Sequence, residues 1–563
     1  MLKKMFLCLS LVALSLSARL TNVAAADGNP KPVAVLSFAG YDRLEQSLDI
    51  IGKLSGNPAL KLLPEASLKM LTMGKGLAGL DKSRPWGVVV ELDLAKSYAF
   101  LPVTDLKQLT ETVEILSGKP LEVVGGAYKL DTPKQTLFAR EQGKWAIVSA
   151  TPESLANVPA DPSAALGALP KQYDLAISLH VANVPPELLD TYLSMAQSSM
   201  EQATKGSDGE KDQAAQEMGK KTFESLAATV KDLEDVTLGL AIEPKSNKAV
   251  FDVQYTAKAN SKFAAKLAAC KPVKTQFAAL HDPSATLSAG VSASLSPDDV
   301  EQILAMAANW QKLLVQKVEE KGELPDSDLK KLEQMIGDLF DVLKATVRKG
   351  VIDFGLAVNL KPGESTLIKG ARVAEPAKLD HALRLAVQLA SELGPHPEAV
   401  AKAVQLDAGK YHEFAFHKVT IPLAGGGKDT ENLIKLVGDQ LVVIVALGND
   451  SVYVAAGKDP EAALKQAINK SQAAGPQTVP PAQLVLSYRS IAQLLEVVGD
   501  EKAQMFATVL SGALAASAGK DHLRITGEPI ERGVRVRCEV EEGLLTALGT
   551  VSKAMAGGAA PAP

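Results

Sequence analysis

The chain has few of the residues on which covalent or metal-based chemistry depends. It contains only three cysteines and seven histidines in 563 residues, and Cys8 lies in the N-terminal apolar run. Neither Cys270 nor Cys538 has a CxxC partner or a nearby His that would mark a metal ligand or a nucleophile. A disulfide-dense fold is therefore excluded, whereas one long-range bridge and two free thiols both remain open.

Aromatic residues and nucleotide-binding motifs are also scarce. Aromatics make up 4% of the chain, with three Trp, which argues against a carbohydrate-stacking platform or an aromatic peptide groove. The run Gly425-Gly426-Gly427-Lys428 lacks the spacing and the Ser or Thr of a P-loop, and no G-x-S-x-G elbow is present. Met73–Gly79 has glycines at a spacing that fits no dinucleotide fingerprint, so we predict a helix end and turn there.

Long apolar runs are absent beyond the N-terminus, so no later segment is predicted to cross a membrane. At the N-terminus, Lys3 and Lys4 precede the apolar run 5–18, and Ala24-Ala25-Ala26 precede Asp27. This pattern predicts a signal peptide over residues 1–26, cleaved after Ala26. The alternative, a retained membrane anchor, is disfavoured because the run is shorter than a bilayer requires. We therefore expect a periplasmic or secreted protein.

The charge of the mature chain limits its partners. Cleavage would remove Lys3, Lys4 and Arg19 and no acidic residue, which leaves 57 basic residues, 65 acidic residues and a net charge of −8. Nucleic acid and anionic lipid surfaces attract clustered Lys and Arg, so neither is predicted as a partner.

The interior of the sequence repeats one order of elements four times. Each segment begins with an alternating strand, continues with two helices and a β-hairpin, and closes with a helix. The first strands share an aliphatic-Ser pair: Leu36-Ser37, Ile177-Ser178, Leu287-Ser288 and Leu486-Ser487. The first hairpin strands of three segments share a glycine: Gly87, Gly239 and Gly355. Recurrence of Gly within a strand predicts a closely packed neighbour, such as a long helix.

Two of the segments carry an additional strand-strand-helix tail, which defines the larger repeat. Thr151-Pro152-Glu153 and Asp459-Pro460-Glu461 each follow a strand and predict a helix start. We predict a signal peptide (1–26), an N-terminal lobe over 31–273 (units 31–160 and 172–273), a C-terminal lobe over 282–556 (units 282–472 and 481–556) and a disordered tail (557–563). The fold class is α+β, with mostly antiparallel sheets backed by helices, long helical hairpins and an internal duplication in two lobes. Superposition should place Leu36 on Leu287, Gly87 on Gly355 and Trp145 near Val452.

The Pro-Glu tail is similar to a strand-strand-helix repeat seen in several families of exported bacterial proteins. The resemblance covers two stretches of about 35 residues, around Pro152 and Pro460. The order of strand, two helices and hairpin also resembles the small periplasmic modules of outer-membrane assembly proteins, with a further helix added here. These resemblances imply export and an envelope context. They imply no activity and no functional residue.

No catalytic, cofactor-binding or metal-ligating residue is predicted. His412 and His417 are five residues apart in an alternating pattern, which predicts a strand with the two side chains on opposite faces rather than a metal site. The repeated serines have no repeated His or Asp partner, so we interpret them as half-buried strand residues. The pairs Glu319-Glu320 and Glu541-Glu542 lie in solvated helical contexts and cannot be assigned acid and base roles.

The sequence therefore favours an exported, non-enzymatic binding or structural protein of the bacterial envelope, with an envelope protein as its expected partner. Two alternatives remain: a periplasmic hydrolase with a site in the cleft between the lobes, and a carrier of an apolar ligand.

Overall fold

The structure, a computed structural model, describes residues 31–132, 135–205, 213–321, 324–393, 397–423, 428–515 and 519–556. The predicted signal peptide (1–26), the predicted disordered tail (557–563) and the glycines at 425–427 lie outside the described residues. Helices account for 47% and strands for 31% of the chain, and the sheets are antiparallel. The α+β prediction is confirmed.

The chain divides into two compact units. The first contains residues 1–264, 531–535 and 548–563, and the second contains residues 265–530 and 536–547. The fourth repeat is thus shared between the two units.

The strands of the first unit form one antiparallel series in the order β10-β9-β8-β1-β2-β3-β7-β6-β5-β4. These strands are β1 Ala34–Phe38, β2 Trp86–Val90, β3 Tyr98–Pro102, β4 Glu122–Val124, β5 Ala127–Asp131, β6 Thr136–Gln142, β7 Trp145–Ser149, β8 Leu175–His180, β9 Leu233–Glu243 and β10 Lys248–Ala257.

The described residues up to 264 also form α-helices, the last of which continues beyond this point. These helices are α1 Tyr41–Leu54, α2 Leu63–Leu71, α3 Leu106–Ser117, α4 Leu169–Gln172, α5 Pro186–Lys205, α6 Gln213–Lys231 and the first part of α7 Lys262–Ala269. Local chemistry sets the ends of α3: the side chain of Asp105 accepts a hydrogen bond from Gln108 N at 3.2 Å, and Gly118 ends the helix at φ 71°. The first predicted Pro-Glu helix is instead a single 3₁₀ turn, Glu153–Asn157.

The main sheet of the second unit has the order β21-β20-β12-β13-β14-β18-β17-β16-β15, again antiparallel throughout. The strands from residue 265 onward are β11 Lys274–Thr275, β12 Leu287–Ser294, β13 Val351–Asn359, β14 Thr366–Arg372, β15 Val404–Tyr411, β16 Phe414–Pro422, β17 Gln440–Leu447, β18 Ser451–Gly457, β19 Gln477–Thr478, β20 Ala482–Ser487, β21 His522–Ile530 and β22 Gly533–Val540. A separate pair joins β11 to β19.

The helices of this part of the chain include the longest ones. They are α8 Pro297–Lys321, α9 Asp326–Arg348, α10 Pro376–Leu393, α11 Pro397–Ala403, α12 Lys428–Val437, α13 Pro460–Ala474, α14 Tyr488–Val498, α15 Glu501–Ala515 and α16 Glu542–Ala556. Helix α8 is capped at its start, because Ser296 Oγ accepts a hydrogen bond from Asp299 N at 3.1 Å. The second Pro-Glu start also opens a true α-helix, α13.

The duplication is confirmed by strand order. Strands β1 to β9 of the first unit correspond, one by one and in the same direction, to β12 to β18, β20 and β21 of the second. Within each unit the two repeats meet through their first strands. Leu36 lies opposite Ile177, and Leu287 lies opposite Leu486, so the aliphatic-Ser pairs face each other across an approximate local twofold axis.

The register of the glycines differs from the prediction. Gly87 lies opposite the residue that follows Leu36, whereas Gly355 lies opposite the third residue after Leu287. With Leu36 placed on Leu287, the two glycines are therefore two residues apart. A shift of two keeps both on the same face of the sheet, because side chains alternate with a period of two.

The neighbours of these glycines are short segments rather than long helices. A Cβ on Gly87 would lie 2.7 Å from Leu166 Cδ2, and a Cβ on Gly355 would lie 3.0 Å from Leu280 Cβ. Leu166 and Leu280 each end a 3₁₀ helix, Pro162–Leu166 and Ala278–Leu280. The expectation of a close neighbour was correct, and its identification with a long helix was wrong.

Strand register places the counterpart of Trp145 next to Val452. Through the β3–β7 and β14–β18 pairings, Trp145 corresponds to Tyr453 rather than to Val452. Both aromatic side chains are buried at 3% exposure, and each meets a Phe ring edge-on at 5.3 Å, Phe100 and Phe277 respectively. A one-residue shift would have turned the side chain to the other face, so burial selects the aromatic residue.

Each unit has its own apolar core beneath these aromatic pairs. The first includes Val35, Val89, Phe100, Ile147, Leu155 and Leu166. The second includes Phe277, Leu280, Ile444, Ala455, Leu464 and Ile468.

The turn after α2 confirms the predicted helix end at Met73–Gly79 and contains an unusual residue. Gly74 N donates to Lys69 O at 2.7 Å, which closes a Schellman turn. Met73 occupies the left-handed position of that turn, with φ 51°. Thr72, which is fully buried, fixes the turn by accepting a hydrogen bond from Gly76 N at 2.7 Å. Gly is the usual residue at the left-handed position because it has no Cβ.

Replacement of Met73 with Gly is expected to raise the free energy of unfolding by about 1 kcal/mol, because it relieves the left-handed strain of a residue that carries a Cβ. Met70 lies inside the last turn of α2. Its replacement with Gly should lower the free energy of unfolding by a similar amount. Urea unfolding followed by circular dichroism measures both. Equal destabilisation by the two substitutions would contradict the assignment of strain to Met73.

Candidate functional site

The four repeated serines are not available as nucleophiles. All four are at most 6% exposed: Ser37, Ser178, Ser288 and Ser487. Ser487 Oγ donates to Asp521 Oδ2 at 2.8 Å and also accepts from Ser490 N, so it caps α14. The interpretation of these serines as strand residues is supported, and their burial is greater than expected.

The segment around His412 is a hairpin and not the single strand that was predicted. Tyr411 pairs with Phe414, so His412 and Glu413 form the two-residue turn between β15 and β16. His412 adopts φ 51°, a value that two-residue hairpin turns require. His417 lies inside β16 and is 4% exposed. His412 therefore lies in a turn and His417 in a strand. The two side chains are kept apart because they belong to different elements, and not because side chains alternate along one strand.

His417 belongs to a ring of four charged or ionisable side chains. Arg384, on α10, donates to Asp380 Oδ2 at 2.9 Å and to Asp407 Oδ1 at 2.7 Å. Asp407 N donates to His417 Nδ1 at 3.2 Å. His417 Nε2 lies 2.9 Å from Asp380 Oδ1, without the alignment of a hydrogen bond.

The ring holds an irregular stretch of strand β15. The β15–β16 register shifts between Gln405 and Gly409, and Asp407 within this stretch has φ 54°. Such a bulge interrupts the hydrogen bonds between the two strands. Here the backbone N–H of Asp407 bonds to His417 instead, and its carboxylate bonds to Arg384. In the described part of the chain, β15 pairs only with β16. A bulge on an edge strand blocks edge-to-edge pairing with another chain, so a structural role accounts for the ring.

The ring makes a pH-dependent contribution to stability. The hydrogen bond from Arg384 lowers the pKa of the Asp407 carboxyl below its ordinary value. The contribution is therefore complete above the unfolded pKa of about 4 and is lost as the pH falls through the folded value. Asp407→Asn is expected to lower the urea midpoint at pH 7 and to have a smaller effect at pH 3. In an Arg384→Met background the substitution should change neither midpoint, and an undiminished effect there would contradict the pairing.

Cys270 and Cys538 are both free thiols. Burial raises the pKa of the Cys270 thiol and that of the Cys538 thiol above the ordinary value. A raised pKa disfavours the thiolate, which is the nucleophilic form.

Two further carboxylates have partners that the sequence did not indicate. Asp353, whose side chain is fully buried, accepts hydrogen bonds from Ser292 Oγ at 2.7 Å and Gln276 N at 3.2 Å. Arg372 lies 3.4 Å away from the same carboxylate. Glu541 Oε2 lies 3.1 Å from His522 Nδ1, so Glu541 is paired and mostly buried rather than solvated. Each carboxylate is paired with neutral or basic groups, which is typical of structural anchoring.

The described residues contain no group of three His, Cys, Asp or Glu side chains that could hold a metal ion. Two surface cavities in the first unit have charged linings. One, beside α1, includes Asp49 and Lys53, and the other, near the end of α3, includes Lys75 and Glu111. Such linings do not suit an apolar ligand.

The most distinctive surface feature is apolar and recurs in every repeat. We call α1–α2, α5–α6, α8–α9 and α14–α15 the repeat helix pairs, because each follows the first strand of a repeat. Each pair exposes large apolar side chains to solvent. These are Leu44, Leu62, Leu63, Met70, Leu71 and Met73 in or beside the first pair, Tyr192, Met195 and Leu226 in the second, Met306, Trp310, Leu314, Leu339 and Leu343 in the third, and Met505 and Phe506 in the fourth.

The exposed residues of α8 form one continuous stripe. Met306, Trp310 and Leu314 are spaced four residues apart, so they lie on one face of the helix, and each is 42–46% exposed. Ala307, which is buried at 4% exposure, lies only about 60° around the helix from Trp310. The stripe therefore borders the buried side of the helix, and its three large side chains remain partly exposed to solvent.

Methionine is concentrated on the repeat helix pairs. All methionines lie in or directly after one of these helices except Met1, Met5 and Met555. The flexible thioether side chain adapts to partners of different shape, which is why methionine is common on promiscuous binding surfaces.

No protein-family model matches the chain, and neither a curated protein nor a solved structure matches it significantly. Among the described residues, no helix is both long and apolar enough to cross a membrane.

Proposed function

We propose that the chain is an exported, non-enzymatic binding protein of the bacterial envelope, and that its repeat helix pairs bind a protein partner. The observation that carries this proposal is the repeated exposure of large apolar side chains on all four pairs. Single exposed apolar residues are ordinary, but contiguous apolar patches on a folded surface are typical of interaction sites.

The third pair offers the best-defined contact surface. Trp310 lies at the centre of the α8 stripe, between Met306 and Leu314. Trp is enriched among the residues that dominate binding energy at protein interfaces, and it contributes most when neighbouring side chains exclude water around it. The stripe therefore has the composition of an anchor with an apolar surround.

A photo-crosslinking amino acid at position 310 of the exported protein tests this proposal. We expect a discrete adduct with an envelope protein, and the adduct should be lost when Met306 and Leu314 are both changed to Glu. The matched control is position 312. Lys312 is exposed, and it lies about 200° around the same helix from Trp310. Equal adduct yields at 310 and 312, or no adduct at 310, would overturn the proposal.

Export is part of the same proposal and has its own test. Cleavage at the Ala24-Ala25-Ala26 site should give a mature N-terminus at Asp27. N-terminal sequencing of protein recovered from the periplasm or the medium measures this directly. Recovery of the chain in the cytoplasm with residues 1–26 attached would contradict export.

A further inference from the structure

We propose that Met70 and Met73 form a surface site for the soft monovalent cation Cu(I), with the two thioether sulfurs as ligands. The proposal goes beyond partner binding by the repeat helix pairs, because it assigns a metal-binding role to two residues at the end of α2 and in the turn that follows, which also belong to the exposed apolar surface of the first pair.

The first observation is the exposure of these two side chains. Met70 is 79% exposed and Met73 is 86% exposed, more than any other large apolar side chain among the described residues. The sulfur atoms of the two residues are thus open to solvent, and a metal ion would reach them without any rearrangement of the core.

The second observation is the backbone of Met73. Met73 occupies the left-handed position of the Schellman turn, where Gly is favoured. In this chain the glycine, Gly74, comes one position later. A non-Gly residue held in this conformation is an outlier, and such outliers concentrate at functional positions. The strain places a thioether just beyond the last turn of α2, three residues after Met70.

The third observation is the chemistry and setting of the pair. Thioethers are soft ligands that select Cu(I) over the hard cations, and each sulfur ends a flexible side chain. Thr72, between the two residues, is fully buried and hydrogen-bonded, so both side chains start from a fixed backbone. The two nearest lysines are paired with carboxylates, Lys69 with Glu65 and Lys75 with Glu111. Their charges are therefore partly offset, which reduces repulsion of a cation.

Methyl NMR of the mature protein labelled with ¹³C-methyl methionine tests the site, with Ag(I) in chloride-free buffer as a redox-stable probe for Cu(I). We expect the Met70 and Met73 methyl resonances to shift together and to saturate at one Ag(I) per chain. Met70→Leu should abolish the saturable response of Met73, and Met73→Leu should abolish that of Met70. Met505→Leu, which removes a separate exposed methionine, should leave both responses unchanged.

Competition with a Cu(I)-specific chromophoric chelator provides the second readout. The wild-type protein should withdraw one Cu(I) per chain, and either Leu variant should lose at least tenfold in affinity. Thermal unfolding of the variants establishes that they are folded. Parallel, unsaturated shifts of all exposed methionines, or an unchanged Met73 response in the Met70→Leu variant, would overturn the proposal.

Discussion

Replacement of Phe277 with Ala is expected to lower the free energy of unfolding of the second unit by about 3–5 kcal/mol. Phe277 is fully buried and belongs to the central apolar cluster of that unit. Its ring packs directly on the backbone of β14, since a Cβ on Gly370 would lie only 2.4 Å from Phe277 Cδ1. The ring also meets Tyr453 edge-on at 5.3 Å. Removal of the ring leaves a cavity that the glycine cannot fill.

The matched control is Phe506→Ala. Phe506 lies on α15 and is 47% exposed, so its removal should change the free energy of unfolding by less than about 1 kcal/mol. Urea unfolding followed by circular dichroism compares the two variants. Losses of similar size would show that Phe277 does not occupy the core described here.

Replacement of Asp353 with Ala is expected to cost about 3 kcal/mol, because it removes the acceptor of the fully buried Ser292 hydroxyl and the partner of Arg372. Asp353→Asn should cost less, since the amide oxygen can still accept the hydrogen bond from Ser292. The exposed Asp450, which accepts a hydrogen bond from Gln276 Nε2 at 3.2 Å, provides the control.

Urea midpoints of Asp353→Ala, Asp353→Asn and Asp450→Ala should therefore rank in that order, with the first the least stable. If Asp450→Ala were as destabilising as Asp353→Ala, burial of the carboxylate would not account for the effect.

Much of the fold could be predicted because alternation and repetition are local properties of the sequence. The first hairpin strands that were predicted around Gly87 and Gly355 are observed as Trp86–Val90 and Val351–Asn359. The shared order of elements predicted the duplication, and the paired strands confirm it. The predictions were wrong where the alternating pattern of side chains does not indicate an irregular backbone. His412 continues an apparently alternating run, yet its left-handed conformation turns the chain between β15 and β16.

The candidate binding surface could not be predicted from the sequence. Met306, Trp310 and Leu314 have the helical spacing of core residues, and so does the stripe that includes Ile336 and Val342. The structure distinguishes them, since Ile336 and Val342 are buried whereas the α8 stripe is exposed. Apolar periodicity identifies a face of a helix, but tertiary packing decides whether another element covers that face. The acidic and basic members of the His417 ring likewise come from α10, β15 and β16, and no short motif links them.

The pairing of the first strands across each unit has a consequence for how the chain reaches its native state. Leu36 and Ile177, and likewise Leu287 and Leu486, meet at the middle of a sheet although about 140 and 200 residues separate them. Closure of such long loops costs conformational entropy before the contacts between the loop ends can stabilise the chain. A high contact order is accordingly associated with slow folding. We therefore expect the outer hairpins β4–β7 and β15–β18 to form early, and the central strand pairs to form last, in the rate-limiting step of refolding.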